Sequence, residues 1–310
     1  MAAAGNPQSG AVSAAPDVIV SRQIRAPRAL VWQAWTDPGH IVKWWGPHRY
    51  TTPHAAIDLR PGGALRLEMR APDGRVYPIV GTVDEAVAPE RLVTTTRLEQ
   101  DGVVMFEVQQ TVTFEDRGDE TRVTLRAHVV RALEAAAGAL AGMHEGWNQS
   151  FDRLVSHAAT TATDRELVIT RRFRAPIELV WEAWTSPAHL EKWWGPAGFT
   201  TTTSVFDFTP GGQWVHTMHG PDGTDYPNRL TFREIVPGRR LRYSHDGMID
   251  DDPLAFEVSA VFERDEVGTR ITWRMTLASA ADRQRVIDEF GAYEGAHQTL
   301  DRLADLLQVP

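Results

Sequence analysis

The feature that most constrains this chain is an internal repeat. Lys43-Trp44-Trp45-Gly46-Pro47 recurs as Lys192-Trp193-Trp194-Gly195-Pro196, 149 positions further on. The match runs backwards from there: Arg25 to Pro47 and Arg174 to Pro196 agree at 16 of 23 positions. A repeat period of 20–50 residues marks a solenoid; one of 149 makes each copy a whole domain. The 310 residues then divide into two domains of ordinary size. The boundaries read as a tail over 1–16, a first domain over 17–158, a linker over 159–164 and a second domain over 165–310.

Each copy opens on a strand-like run, Val18 to Ile24 and Glu166 to Phe173, rich in β-branched residues. Ala-Pro follows, with proline suited to the first helical turn. Leu30, Val31, Trp32 and Trp35 fall at helical spacing, as do Leu179, Val180, Trp181 and Trp184. Thr36-Asp37-Pro38 and Thr185-Ser186-Pro187 end that helix and start a second short one, which Trp-Trp-Gly-Pro stops. A run of about six antiparallel strands follows, punctuated by Pro-Gly-Gly and Pro-Asp-Gly turns. One residue is missing between the fifth and sixth strands of the second copy. Each copy closes on a long amphipathic helix, near 131–158 and 279–308. The fold class expected is α+β: a curved antiparallel sheet around a long C-terminal helix, built twice.

Composition closes some routes. The net charge of −9 argues against general binding to a nucleic-acid backbone. Cysteine is absent, which removes disulfides, thiol catalysis and Cys-ligated metals, and fits a reducing, cytoplasmic setting. No apolar run reaches the ~18 residues of a membrane span. His216 and His219, three apart on a strand, face opposite sides, and no His/carboxylate set has metal-ligand spacing. No Gly-rich phosphate loop opens a helix. The expected cofactor is none.

Several motifs in fixed order resemble a known family. These are Arg-Ala-Pro, Leu-Val-Trp and Ala-Trp-Thr, then Trp-Trp-Gly-Pro, Asp-x-x-Pro-Gly-Gly, Pro-Asp-Gly, and a late Glu145-Gly146-Trp147 before Asp152-Arg153-Leu154. Together they resemble the heat-shock-protein-90 ATPase activator homologues of the START-like (Bet v-like, SRPBCC) helix-grip superfamily. The resemblance covers both copies. It implies a ligand cavity between sheet and long helix, in a superfamily that includes lipid and hormone binders, polyketide cyclases and a co-chaperone domain.

Strand alternation tells which residues face that cavity. His216 stands where the first copy has Leu67, Tyr243 and His245 where it has Thr94 and Thr96, Trp273 where it has Leu125. Asn228 shares the inward phase. On the last helix Ala296 replaces Trp147, so an indole is lost and the second domain is expected to be the roomier, more polar ligand site. Its candidate residues are Trp193, Trp194, His216, Asn228, Tyr243, His245, Trp273, Tyr293 and Ala296. In the first domain they are Gln110, His144 and Trp147. Core anchoring is the competing reading of Trp44, Trp45, Trp193 and Trp194, with one of each pair expected at the cavity. Asp58 and Asp207, before Pro-Gly-Gly, read as turn residues.

The function expected is binding of small hydrophobic or aromatic molecules. Two alternatives stay open. One is a cofactor-independent cyclase or hydrolase in which His216 or His245, beside Tyr243, acts as acid and base. The other is a co-chaperone-like interaction module with a chaperone partner.

Overall fold

The computed structural model describes residues 16–100, 102–246 and 255–308. The expected tail falls, but for Pro16, outside the described residues, and so do residues 247–254, between the fifth and sixth strands of the second copy. The chain divides into two compact units, Met1–Leu154 and Val155–Pro310.

The first unit runs β1 (Val18–Ile24), α1 (Arg28–Thr36), α2 (Pro38–Trp44), then β2 (Thr51–Ile57), β3 (Ala64–Arg70), β4 (Val76–Val87), β5 (Arg91–Gln100), β6 (Val103–Asp116) and β7 (Thr121–Ala132). A 3-10 turn (Glu134–Ala136) leads into α3 (Ala137–Thr161). The sheet order is β1-β7-β6-β5-β4-β3-β2, antiparallel throughout. β1 and β2 are therefore opposite edges, and α1 and α2 span the distance between them.

The second unit repeats this plan: β8 (Glu166–Phe173), α4 (Ile177–Thr185), α5 (Pro187–Trp193), β9 (Thr200–Phe206), β10 (Gln213–His219), β11 (Asp225–Val236), β12 (Arg240–His245), β13 (Phe256–Asp265), β14 (Gly268–Thr276), α6 (Ala280–Phe290) and α7 (Ala292–Gln308). Its sheet order is β8-β14-β13-β12-β11-β10-β9. Both sheets slip register at the same aligned place, Val83/Glu85 and Phe232/Glu234. A bulge bends its strand and raises local twist, and here it curves each sheet around its helix.

Alternation along the strands builds the cores. Val123, Leu125 and Ala127 on β7, and Ile271, Trp273 and Met275 on β14, point inward and are buried, with the residues between them more open. Asp58 is held in its turn by Arg60, whose Nε donates at 2.9 Å. Gly63 packs so tightly there that a Cβ would sit 2.1 Å from the Asp58 carbonyl oxygen.

Two expectations about helices differ from the structure. The last helix of the second unit is broken into α6 and α7 at Gly291, which caps α6 in the left-handed region (φ 58°) with its N–H on Ile287 and Val286 carbonyls. Glycine adopts that conformation without a Cβ penalty, which ends a helix. Residues 159–161, expected in the linker, are helical and finish α3.

Candidate functional site

The repeated Trp-Trp-Gly-Pro forms one wall of a cavity in each unit. The first tryptophan of each pair is an anchor. Trp44 and Trp193 are fully buried, and their indole N–H groups donate to the Ala34 and Ala183 carbonyls at 2.8 and 2.9 Å. The second tryptophan, one residue further round the helix end, turns to the cavity: Trp45 lines that of the first unit and Trp194 that of the second. Thr52 and Thr201 hydroxyls donate to the Trp45 and Trp194 carbonyls, both at 2.8 Å. Gly46 and Gly195, at φ 100° and 104°, then make a turn that other residues rarely adopt.

The first-unit cavity measures about 350 Å³ and lies between β3–β6 and α3. Its walls are mostly apolar, among them Met69, Ile79, Leu98, Phe106, Val108 and Trp147. Polar groups are few: Gln110 Nε2 donates to Thr96 Oγ1 at 3.2 Å, and Ser150 Oγ to the Gly146 carbonyl at 2.8 Å. The second-unit cavity measures about 220 Å³, walled by β10–β14, the end of α6 and α7. Trp194, His216, Asn228, Tyr243, His245, Trp273 and Ala296 all line it.

The second cavity is thus the smaller one, contrary to the expectation from the Trp147/Ala296 exchange. The indole is moved, not lost. In the first unit Trp147 reaches from the helix, stacking on Trp35 at 6.3 Å and meeting Trp45 edge-on at 5.2 Å. In the second unit Trp273 reaches from the sheet and meets the matching pair, Trp184 at 5.5 Å and Trp194 at 5.6 Å. Tyr243, His245, Phe256 and Met275 also stand where the first unit has Thr94, Thr96, Val108 and Ala127. These larger strand side chains take up the room that Ala296 leaves.

The polar groups of the second cavity form two sets. Asn228 Oδ1 lies 2.7 Å from His245 Nε2, while its Nδ2 donates to the Tyr226 carbonyl at 2.7 Å. Trp273 Nε1 donates to the Tyr243 hydroxyl at 3.2 Å. Burial pushes the Tyr243 phenol above its ordinary pKa, against the opposing effect of that hydrogen bond, so it stays protonated. His216 belongs to neither set. It is 2% exposed, stacks on Trp214 at 3.9 Å, and neither ring nitrogen has a hydrogen-bond partner. Burial, reinforced by the charge of His245, pushes its pKa down to about 3. At neutral pH it is an uncharged imidazole that offers one donor and one acceptor. It can recognise a ligand by hydrogen bonding, but it is not the imidazolium that a general acid would need at neutral pH.

Residues 25–159 and 174–308 each match the family described as Activator of Hsp90 ATPase homolog 1-like protein. The chain belongs to this family. Both copies carry the match, so it is a tandem Activator of Hsp90 ATPase homolog 1-like chain with two helix-grip, START-like domains. Similar solved structures include a Mycobacterium smegmatis protein at 29% identity, covering 47% of this chain and 93% of its own, with a TM-score of 0.44. A Nitrosomonas europaea protein is 26% identical, covering 47% and 95%, with a TM-score of 0.42. Among curated proteins none matches.

Three candidate residues of this Activator of Hsp90 ATPase homolog 1-like chain lie off the cavity walls. Trp193 is the core anchor described above. His144 is exposed on α3, and its aligned partner Tyr293, half-buried on α7, sets its ring edge-on to His297 at 4.9 Å. The cavity stripe of α3 is Ala139, Gly142, Met143, Gly146, Trp147 and Ser150, and that of α7 is Ala292, Gly295, Ala296 and Thr299. At about 100° per residue, positions 144 and 293 lie roughly a third of a turn off those stripes.

Two positioning residues stand out only in the structure. Arg153 Nη1 donates to the Gly46, Pro47 and Tyr50 carbonyls at 3.1, 3.1 and 2.9 Å. Arg302 Nη1 does the same for Gly195 (2.9 Å) and Pro196 (3.2 Å), with Nη2 on the Lys192 carbonyl (3.0 Å). Each arginine ties the tryptophan turn to the last helix. Beside them, Asp152 faces Arg22 of β1 at 3.9 Å and Asp301 pairs with Arg171 of β8 at 2.7 Å. The signal was the recurrence of Asp-Arg-Leu at 152–154 and 301–303.

A groove of about 1010 Å³ between Trp181 and the 236–240 and 261–264 segments shares no residue with either cavity. It is open, and several of its charges pair locally, Arg264 with Glu178 and Arg240 with Glu234. Among the described residues no three His, Asp or Glu converge as metal ligands, and no helix is long and apolar enough to cross a membrane.

Proposed function

We propose that this chain binds small hydrophobic or aromatic molecules in the two cavities between sheet and last helix, the first taking larger ligands and the second being the more selective. The observation that carries this is the pair of apolar hollows, about 350 and 220 Å³, kept open inside otherwise close-packed domains. Interiors normally close such space. The larger one falls within the ordinary range of small-molecule sites, apolar with a few placed polar groups. Scarce charge in the walls and the absence of cysteine fit a neutral organic ligand met in the cytoplasm.

The test is titration with uncharged phenylnaphthylamine, whose fluorescence rises in apolar surroundings. Gly142→Leu should reduce the first-domain signal, because a Cβ at Gly142 meets no atom within 4 Å and the side chain can enter the hollow. Ala296→Trp should reduce the second-domain signal. Probe binding that neither substitution changes would overturn the reading, as would stimulation of the Hsp90 ATPase by a chain that binds no probe.

A further inference from the structure

We propose that the second-domain cavity selects a neutral one- or two-ring aromatic molecule bearing a hydroxyl, with the His216 imidazole as its hydrogen-bond partner. This rests on the cavity reading above and goes further by naming the ligand class.

The starting point is an unexplained cost. His216 lies on the inward face of β10, where the first domain has Leu67, so an apolar side chain fits this place in the fold. Instead there is an imidazole, 2% exposed, with both nitrogens unpartnered. A buried polar group with no partner is destabilising, and each one in a native structure asks for a reason. The neighbours do not supply one. The Asn228 carbonyl oxygen is engaged by His245, and the Tyr243 oxygen accepts from Trp273, which leaves the Tyr243 O–H as a donor. His216 shares the cavity wall with them and is the side chain with both polar atoms unengaged.

The surroundings define the missing partner. No carboxylate, guanidinium or ammonium is among the described residues that line the cavity. Burial holds His216 itself uncharged at neutral pH. An ion would therefore enter with nothing to balance it. Trp214 stacks on the imidazole at 3.9 Å and the Trp194 ring stands edge-on to it at 6.2 Å, while Trp194 and Trp273, 5.6 Å apart, line the cavity beside it. Aromatic rings favour offset-stacked and edge-to-face partners, so a flat ring fits better than a branched chain. An apolar cavity of about 150 Å³ holds benzene; at about 220 Å³ one or two rings fit. A hydroxyl both donates and accepts, so it satisfies either tautomer of His216.

The test compares naphthol with naphthalene, which differ by that hydroxyl, by titration of the intact chain at neutral pH. A cavity without a polar partner must prefer naphthalene, because burying an unpaired hydroxyl is costly. The expected result is the reverse: naphthol tighter by about tenfold, as one net hydrogen bond allows, with that binding lost in Ala296→Trp. In His216→Leu the naphthol preference should vanish while naphthalene still binds. Naphthalene binding as well as or better than naphthol, at a site that Ala296→Trp closes, overturns the role of His216 and leaves the cavity reading intact. If Ala296→Trp changes the binding of neither compound, both readings of this domain fail. The wild-type comparison needs no variant of His216, so tighter binding of naphthalene overturns the proposal even if His216→Leu does not fold, and Tyr243→Phe, which keeps the ring and removes the other hydroxyl donor, should leave the naphthol preference in place.

Discussion

Replacing Trp273 by leucine, the residue at its aligned position in the first domain, empties the place where the second domain puts its displaced indole. The cost can be worked from contacts. Trp273 meets Trp184 at 5.5 Å and Trp194 at 5.6 Å, and its N–H donates to Tyr243 at 3.2 Å. Each aromatic pair is worth ~0.5–1.5 kcal/mol beyond area and the hydrogen bond ~1 kcal/mol. Truncating a buried Trp to Ala costs ~3–5 kcal/mol in all, and leucine recovers part of that, so ~3 kcal/mol is expected. Adding Ala296→Trp returns an indole from the helix side, as in the first domain. The double variant should then be more stable than Trp273→Leu alone by ~1.5 kcal/mol or more, a coupling within the range for residues in contact. Guanidinium unfolding followed by circular dichroism and tryptophan fluorescence measures this, with the first-domain transition as internal reference. Additive effects of the two changes, or a Trp273→Leu variant as stable as the parent, would refute the claim that the two indoles fill equivalent space.

Other consequences are as direct. Arg302→Met removes the donors to the Gly195, Pro196 and Lys192 carbonyls; it should cost ~2 kcal/mol in the second domain, and an unchanged unfolding midpoint would show that the clamp is idle. His216 has a folded pKa of about 3 against an ordinary 6.5. The unfolded chain therefore binds more protons between those values, so stability is full above pH 6.5 and falls as pH drops towards 3. The slope from this group is up to ~1.4 kcal/mol per pH unit. His216→Leu should flatten the second domain's pH dependence by that amount, and an identical slope in the variant would contradict it.

The fold was legible because its signals are local and repeated. Pro-Gly-Gly and Pro-Asp-Gly mark the turns, and alternation put His216, Asn228, Tyr243 and His245 on one face, where the structure has them lining one cavity. What escaped depends on two elements at once. Cavity size is set by both walls, so Ala296 on the helix could not be read without Trp273 on the strand. The apolar stripe of the last helix includes core residues such as Phe151 and Leu154, which drew the inward face towards His144 and Tyr293 and away from Gly142 and Gly295. The roles of Arg153 and Arg302 carry no local signal, because the carbonyls they serve are more than 100 residues away in sequence. A single Gly291 in an amphipathic run was too weak a sign of a broken helix, since glycine inside a helix costs only ~1 kcal/mol.

The central claim is that each domain holds a small organic molecule in its own grip. Native mass spectrometry of the freshly purified chain, incubated with naphthol, tests it most directly. The expected spectrum shows up to two ligands per chain, one lost on Ala296→Trp and the other on Gly142→Leu. A chain that carries none, or carries the same number in both variants, contradicts it.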